Sequence, residues 1–275
     1  MDQPENDPFK YSDHLPTITI IKGLRFGTWN VLYQKWLKMN IDGHIGKFFS
    51  NLVTMVPDMR SFGIIFTIYD LLVLQKLDVL ALQEFDLTNL EKLKQMLVHL
   101  GNYELILPED LTGYVKVQED ELHSQGNNDL QLVIYCKDTI KHNTEVSHLE
   151  YFVHSETGTK KISKRIMNLS FSAKEIDSVS EFRFINTHVL FLEIRQLIKY
   201  VNAVKKPDNQ KELNIIIAGD MNQEERPDTF IGLLLNYSFP FTVTYTGSKV
   251  ENIGYTHIDT KGSYVQYDHI WHIII

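Results

Sequence analysis

The sequence predicts a four-layer α/β sandwich, two packed mixed β-sheets flanked by helices. Three observations predict it. Apolar runs of strand length outnumber segments with helical periodicity, the helical segments fall between pairs of strands, and several apolar runs end in a polar side chain.

Residues 1–20, opening MDQPENDPFKYSDH, read as a polar N-terminal tail without the basic and apolar regions of a signal peptide, and residues 21–275 read as one domain. LRFGTWNVL at 24–32 is a strand leading into a polar loop, and apolar positions recur at helical spacing from Arg60 to Gln75. LDVLALQEFD at 77–86 is a central strand ending in carboxylates. Residues 88–100 form a helix, with Thr88 or Asn89 as N-cap and Gly101 just past its end. Strands follow at 103–107 and, after the turn-rich SQGNND, at 130–136, 146–153, 164–171 and 181–188. A helix at 191–205 stops before Pro207, LNIIIAGD at 213–220 is a buried strand, residues 227–236 are a short helix, and 241–275 is mostly strand.

A chain of 275 residues, 43% hydrophobic, can bury one sizeable core, and no linker-like stretch or internal repeat divides it. One cysteine, Cys136, excludes an intramolecular disulfide and a four-cysteine zinc site, and it reads as a small buried hydrophobe. The apolar stretch from Phe62 to Leu74 is interrupted by Asp70 and too short to span a bilayer, so the expected setting is cytoplasmic or another reducing compartment. A net charge of −8 argues against a grip on extended duplex and suits a site that concentrates a divalent cation. The only dense basic run, Lys160, Lys161, Lys164 and Arg165, reads as a solvated loop edge.

The candidate site lies where strands end: Asn30, Glu84, His188, Asp220 with Asn222, and Asp268. Rigid strands can bring such groups to one rim of a sandwich. A hard cation such as Mg²⁺ takes oxygen ligands, and one or two carboxylates with an amide would serve. Taken singly each residue has a plainer reading: Glu84 a solvated strand-end carboxylate, Asn30 or Asp220 a turn former, His188 a hydrogen-bonded core histidine.

Taken in order, the set resembles the endonuclease/exonuclease/phosphatase superfamily, whose fold is the DNase I-like sandwich. GTWNV at 27–31 resembles its first motif and LALQE at 80–84 its metal-binding motif. INTHV at 185–189, followed by Arg195 and Gln196, resembles its strand-end histidine motif. AGDMN at 218–222 resembles Gly-Asp-Phe-Asn, and YDHIW at 267–271 resembles Asp-Tyr-Ile-Trp. WNVLYQ, LALQEFD and Tyr255-Thr256 point to the deadenylase branch, the nocturnin- and Angel-like proteins. The resemblance runs from Leu24 to Trp271. It implies Glu84 as the main Mg²⁺ ligand (Mn²⁺ could replace the metal) with Asn30 beside it. His188 would sit on the scissile phosphate, Asp220 on the attacking water, and Asn222 would orient Asp220.

One departure stands out. The family adds, after a strand like YDHIW, a Ser-Asp-His motif whose histidine acts in catalysis and is oriented by an aspartate at the position of Asp268; this sequence shows no such motif after Trp271. His269 faces away from Asp268 if the strand is regular, and His272 lies roughly 13 Å further along it. A second alignment makes Asp268-His269 the terminal pair, with Asp259 the nearest orienting aspartate. If the family's last strand is absent, IWHIII becomes an exposed sheet edge.

These readings imply an Mg²⁺-dependent hydrolase acting on a phosphodiester or phosphomonoester, with RNA 3′ ends or a nucleotide-like molecule as substrate. Two alternatives are a catalytically impaired module binding a phosphate ligand or a protein, and a phosphatase of inositol phosphates or phospholipid head groups. Fold alone does not choose among them.

Overall fold

Two β-sheets pack face to face in the computed structural model. It describes residues 11–34, 37, 43–108, 130–143, 147–151, 161–174, 181–188, 197, 212–222, 242–245, 257–258 and 263–274. The first sheet contains β1 (Thr17–Ile21), β2 (Leu24–Asn30), β3 (Val79–Phe85), β4 (Tyr103–Ile106) and β5 (Leu130–Cys136), in the order β1-β2-β3-β5-β4. Only the β2/β3 pair is parallel.

The second sheet contains β6 (Ile140–His142), β7 (Ser147–Tyr151), β8 (Lys161–Ala173), β9 (Phe182–His188), β10 (Asn214–Asp220), β11 (Thr242–Tyr245) and a strand at Asp268–Ile274. With the small hairpin β12 (His257–Ile258) and β13 (Tyr264–Val265) counted, that last strand is β14. The order is β11-β14-β10-β9-β8-β6, with β7 also on β8 and only β9/β10 parallel. β14 is paired on both sides, so IWHIII is not the exposed edge expected of a missing strand.

The residues between the sheets explain why they pack. Phe26, Val79, Ala81 and Val133 of the first sheet meet Phe171, Phe182, Phe184, Ile216, Ala218 and Ile270 of the second in one buried cluster. The Phe26 ring stacks on Phe184 at 5.9 Å and meets Phe182 edge-on at 5.7 Å. Toward one end of the sandwich this apolar layer gives way to a buried polar one. Gln83 Nε2 donates to Asn186 Oδ1 across the sheets at 2.7 Å, and Asn186 Nδ2 donates to the carbonyls of Leu82 and Leu132. A buried amide pair with its hydrogen bonds satisfied fixes one register between the sheets, because any slip leaves it unpaired.

The outer face of the first sheet is covered by the helices Pro57–Val73 and Leu90–Leu100, through Ile64, Ile68, Leu71, Leu72, Leu90, Leu93 and Leu97. Gly101, at φ 78°, ends the second helix as expected. Asn89 stands at its N-cap position as expected but makes no side-chain capping bond, and Asp86 caps the preceding 3₁₀ turn, Leu87–Asn89, by accepting the Thr88 N–H at 2.9 Å. Two short helices, His44–Phe48 and Ser50–Thr54, follow β2. Of the helix expected at 191–205 only Leu197 is described, helical and buried; the helix expected at 227–236 and the residues Arg195, Gln196 and Asp259 lie outside the described residues, as do the side chains of the basic run at 160–165. No helix among the described residues is long and apolar enough to cross a membrane.

One boundary is corrected. The described part of the expected tail belongs to the sandwich: Thr17–Ile21 pairs with β2 in register Thr17 to Thr28, and Ser12, Asp13, His14 and Leu15 are buried. The short apolar alternation of TITII completes the edge beside β2.

Candidate active site

Strand alternation gathers the site. In β2, Phe26, Thr28 and Asn30 share the face that looks across the sandwich, and the same period places His188 in β9, Asp220 in β10 and Asp268 in β14 on the facing side. Register does the rest, since Asp220 lies directly opposite both His188 and Asp268.

Glu84 reaches this rim by an irregularity. Leu80 and Leu82 point to the outer helices, and regular alternation would send Glu84 after them. The β3/β5 register instead shifts between Leu82 and Phe85, Glu84 takes φ 54°, and Phe85 packs with Leu80 and Leu82. This is the geometry of a bulge, which re-aims one side chain. The freed carboxylate accepts Asn30 Nδ2 at Oε1 (3.2 Å) and the Tyr33 N–H at Oε2 (3.1 Å).

Asn30 joins the two halves of the site. Its Nδ2 also donates to Asp220 Oδ2 at 3.0 Å, while its Oδ1 accepts the Leu32 N–H. His188 Nε2 stands 3.7 Å from Glu84 Oε1 and 3.6 Å from Asp220 Oδ2. Asn222, at φ 50°, donates its backbone N–H to Asp220 Oδ1 at 2.8 Å. Burial pushes the Asp220 carboxyl up, but His14, His188, the Asn222 N–H and the Asn30 amide outweigh it and hold the group below its ordinary range.

β10 approaches β9 closely beside this group. A Cβ on Gly219 would sit 1.7 Å from the carbonyl oxygen of Thr187, and Gly219 has φ 152°. The glycine of AGDMN lets Asp220 and His188 stand side by side.

The residue that the sequence reading missed is His14. Its Nδ1 lies 2.8 Å from Asp268 Oδ2 and its Nε2 3.7 Å from Asp220 Oδ2. Ser12, Asp13 and His14 form the very tripeptide expected after the last strand, placed at the other end of the chain. The Ser12 hydroxyl donates to the Asn30 carbonyl at 2.7 Å and accepts the His14 N–H, so the tripeptide is tied to β2. Trp29 Nε1 donates to the His14 carbonyl, and the His14 ring stacks on His257 at 4.4 Å. Burial lowers the proton affinity of His14, but Asp268, Asp220 and Asp13 outweigh it and raise its pKa well above the ordinary value.

His269 does not join the group. It faces the other side of β14, against Gly219 in register, and stacks on Trp271 at 5.3 Å. The Asp268-His269 alternative therefore gives way to an Asp268–His14 pair. His272 is also remote, its Nε2 2.9 Å from Asn214 Oδ1 at the far end of β10.

The donor types fit a hard cation. Glu84 brings carboxylate oxygens to the rim, with the Asn30 amide donating to one of them, and His14, Asp220 and Asp268 bring one ligand-type atom each within 4.8 Å of one another.

No family model matches the chain, and no curated protein is similar to it in sequence. Solved structures match its fold. ANGEL2, described as a 2′,3′-cyclic phosphatase, in complex with adenosine-2′,3′-vanadate, is 13% identical over 95% of this chain and 85% of that one, with a TM-score of 0.58. An endonuclease/exonuclease/phosphatase protein from Bacteroides vulgatus is 17% identical over 90% and 86%, with a TM-score of 0.56. The human nocturnin catalytic domain with bound sulfate is 15% identical over 94% and 85%, with a TM-score of 0.50. The chain thus has the endonuclease/exonuclease/phosphatase fold, and the bacterial, ANGEL2 and nocturnin structures match it too evenly to assign a branch.

Proposed function

We propose that this chain is an Mg²⁺-dependent phosphoesterase that hydrolyses a phosphodiester or phosphomonoester, RNA 3′ ends or a nucleotide-like molecule. The observation that carries the reading is the His14–Asp268 pair, which faces Glu84, Asn30, Asp220 and His188 across one rim. Glu84 would be the main ligand of the cation, with Asn30 beside it, and the cation when bound supplies charge for the phosphoryl oxygens.

The chain's own residues then divide the work. Hydrolysis forms a bond from water oxygen to phosphorus, breaks the bond to the leaving oxygen, and moves the water proton to a base. Asp220 stays ionised beside two imidazoles and can accept or direct that proton. His188 and protonated His14 offer N–H donors where negative charge grows on phosphorus oxygens. Asp268 holds His14 in one orientation, as carboxylates do for imidazoles in hydrolytic sites. Asn222 fixes Asp220 through its backbone N–H.

The non-catalytic reading rested on a missing histidine, and His14 removes that ground. For substrate, the acidic chain and the ANGEL2 likeness favour a nucleotide-like ester over extended duplex. The buried thiol of Cys136 suits a reducing compartment.

The test is an Mg²⁺-dependent hydrolysis screen over poly(A), short single-stranded DNA, NADP⁺, adenosine 2′,3′-cyclic phosphate and inositol phosphates, with Glu84→Gln as control. Turnover on a nucleotide-like substrate that the control lacks supports the proposal. No turnover on any substrate overturns it, and selective turnover of inositol phosphates replaces its substrate class.

A further inference from the structure

The Pro57–Val73 helix buries a cation to which the chemistry above gives no task. Arg60 is 1% exposed, and its guanidinium meets oxygens of backbone and amide. Nε donates to the Tyr11 carbonyl at 3.0 Å, Nη1 to Gln34 Oε1 at 2.9 Å, and Nη2 to the carbonyls of Val31 and Leu32, each at 2.5 Å. Burial lowers its pKa to about 10, against the pull of Asp13, Asp86 and Glu84. Burying a guanidinium is costly, and the cost is recovered only if its donors are well satisfied.

These oxygens belong to two segments that carry different parts of the site. Tyr11 stands three residues before His14, whereas Val31 and Leu32 lie between Asn30 and Tyr33, the two residues that hold Glu84. Leu32 adopts φ 55°, a conformation a leucine rarely takes, and is pinned by Asn30 at its amide and by Arg60 at its carbonyl. One turn further along the same helix, Gly63 leaves room for the Tyr11 ring, since a Cβ there would fall 2.1 Å from it.

We propose that Arg60, with Gly63 beside it, is a positioning residue that sets the histidine segment at a fixed distance from the Asn30–Tyr33 loop. A planar fork with several donors can hold three carbonyls at once; a lysine ammonium brings the charge without the fork. The inference rests on the phosphoesterase reading for its catalytic consequence, but not for its structural one.

Two variants test it, Arg60→Lys and Gly63→Ala, each measured by kcat, KM, thermal unfolding and hydrogen exchange. A small misplacement of reacting groups can cost about 100-fold in rate. Arg60→Lys should fold, lose about 10- to 100-fold in kcat with KM within about threefold, and recover nothing when Mg²⁺ is raised. Exchange should quicken at least about tenfold in residues 11–16 and 30–34 and stay unchanged in 214–220. Gly63→Ala should quicken 11–16 alone and lower kcat less.

A folded Arg60→Lys with kcat within about twofold of wild type, or exchange that rises uniformly along the chain, overturns the proposal. Should Arg60→Lys fail to fold, Gly63→Ala decides: unchanged kcat and unchanged exchange at 11–16 overturn it. A wild type that hydrolyses nothing, with the paired exchange pattern still present, defeats the phosphoesterase reading and leaves the positioning role standing.

Discussion

His14 and Asp268 are separated by 254 positions in sequence, yet their side chains are hydrogen-bonded at 2.8 Å in a buried setting. The pair predicts which histidine matters. Loss of one donor to developing charge typically costs about 10²–10³-fold, and His14→Gln should lower kcat by that factor. His269→Ala, on the opposite face of β14, should lose stability but leave kcat per folded molecule within about threefold. Rates normalised to folded protein compare the two, and a loss confined to His269→Ala would restore the discarded alternative.

Glu84→Gln keeps the shape of the side chain and removes its charge. Mg²⁺ affinity measured by titration calorimetry should fall by at least about 10-fold and hydrolysis by several orders of magnitude, with the fold intact. Asn30 Nδ2 and the Tyr33 N–H now meet different carboxylate oxygens, so the glutamine keeps an acceptor for one of them and turns its own N–H toward the other. Metal affinity equal to wild type would move the cation to other ligands.

The raised pKa of His14 makes a pH-dependent contribution to stability. A histidine favoured in its charged form stabilises fully below its unfolded pKa, near the ordinary 6.5, and loses that contribution as pH rises through its higher folded value. The gap in unfolding midpoint between wild type and His14→Gln should therefore be widest below pH 6.5 and shrink in alkaline buffer. Thermal melts across that range check it, and a gap that widens with pH would reverse the assignment of charge.

Gly219→Ala should be among the most damaging single-methyl changes in the chain. The added carbon would meet the Thr187 carbonyl at 1.7 Å, and backbone cannot yield as a side-chain tip can. A loss of about 3 kcal/mol or more is expected from a forced separation of β9 and β10. Denaturant unfolding measures it, and a change under about 1 kcal/mol would mean the strands part easily.

The strands were legible in the sequence where burial is complete. VLALQEF and NIIIAGD are covered on both faces, so their apolar runs needed no periodicity to stand out, and the polar residues at their ends were conspicuous for that reason. The bulge that turns Glu84 inward was not legible, because its cause is the pairing with β5 and not the local residues. Nor was His14. Its segment looked like a tail because Ser, Asp and His are polar, yet all three are buried, Ser12 against the Asn30 carbonyl and Asp13 and His14 against His257 and Asp268, which come much later in the chain. The signal was present: a Ser-Asp-His tripeptide sought at one end stood at the other, separated only by Leu15 and Pro16 from TITII, a short run of alternating burial.

That separation also sets when the site can come into being. A ribosome releases His14 early and Asp268 only after nearly all of the described strands have emerged, and β10 gains its neighbour β14 at the same late moment. Closing so long a loop is slow to reward, since the entropy is lost before the contact is made. A nascent chain that stops short of β14 therefore carries the Glu84 carboxylate and the His188 imidazole but no His14–Asp268 pair. Hydrolytic competence would arrive only once β14 has emerged, and copies lacking it would be chemically quiet.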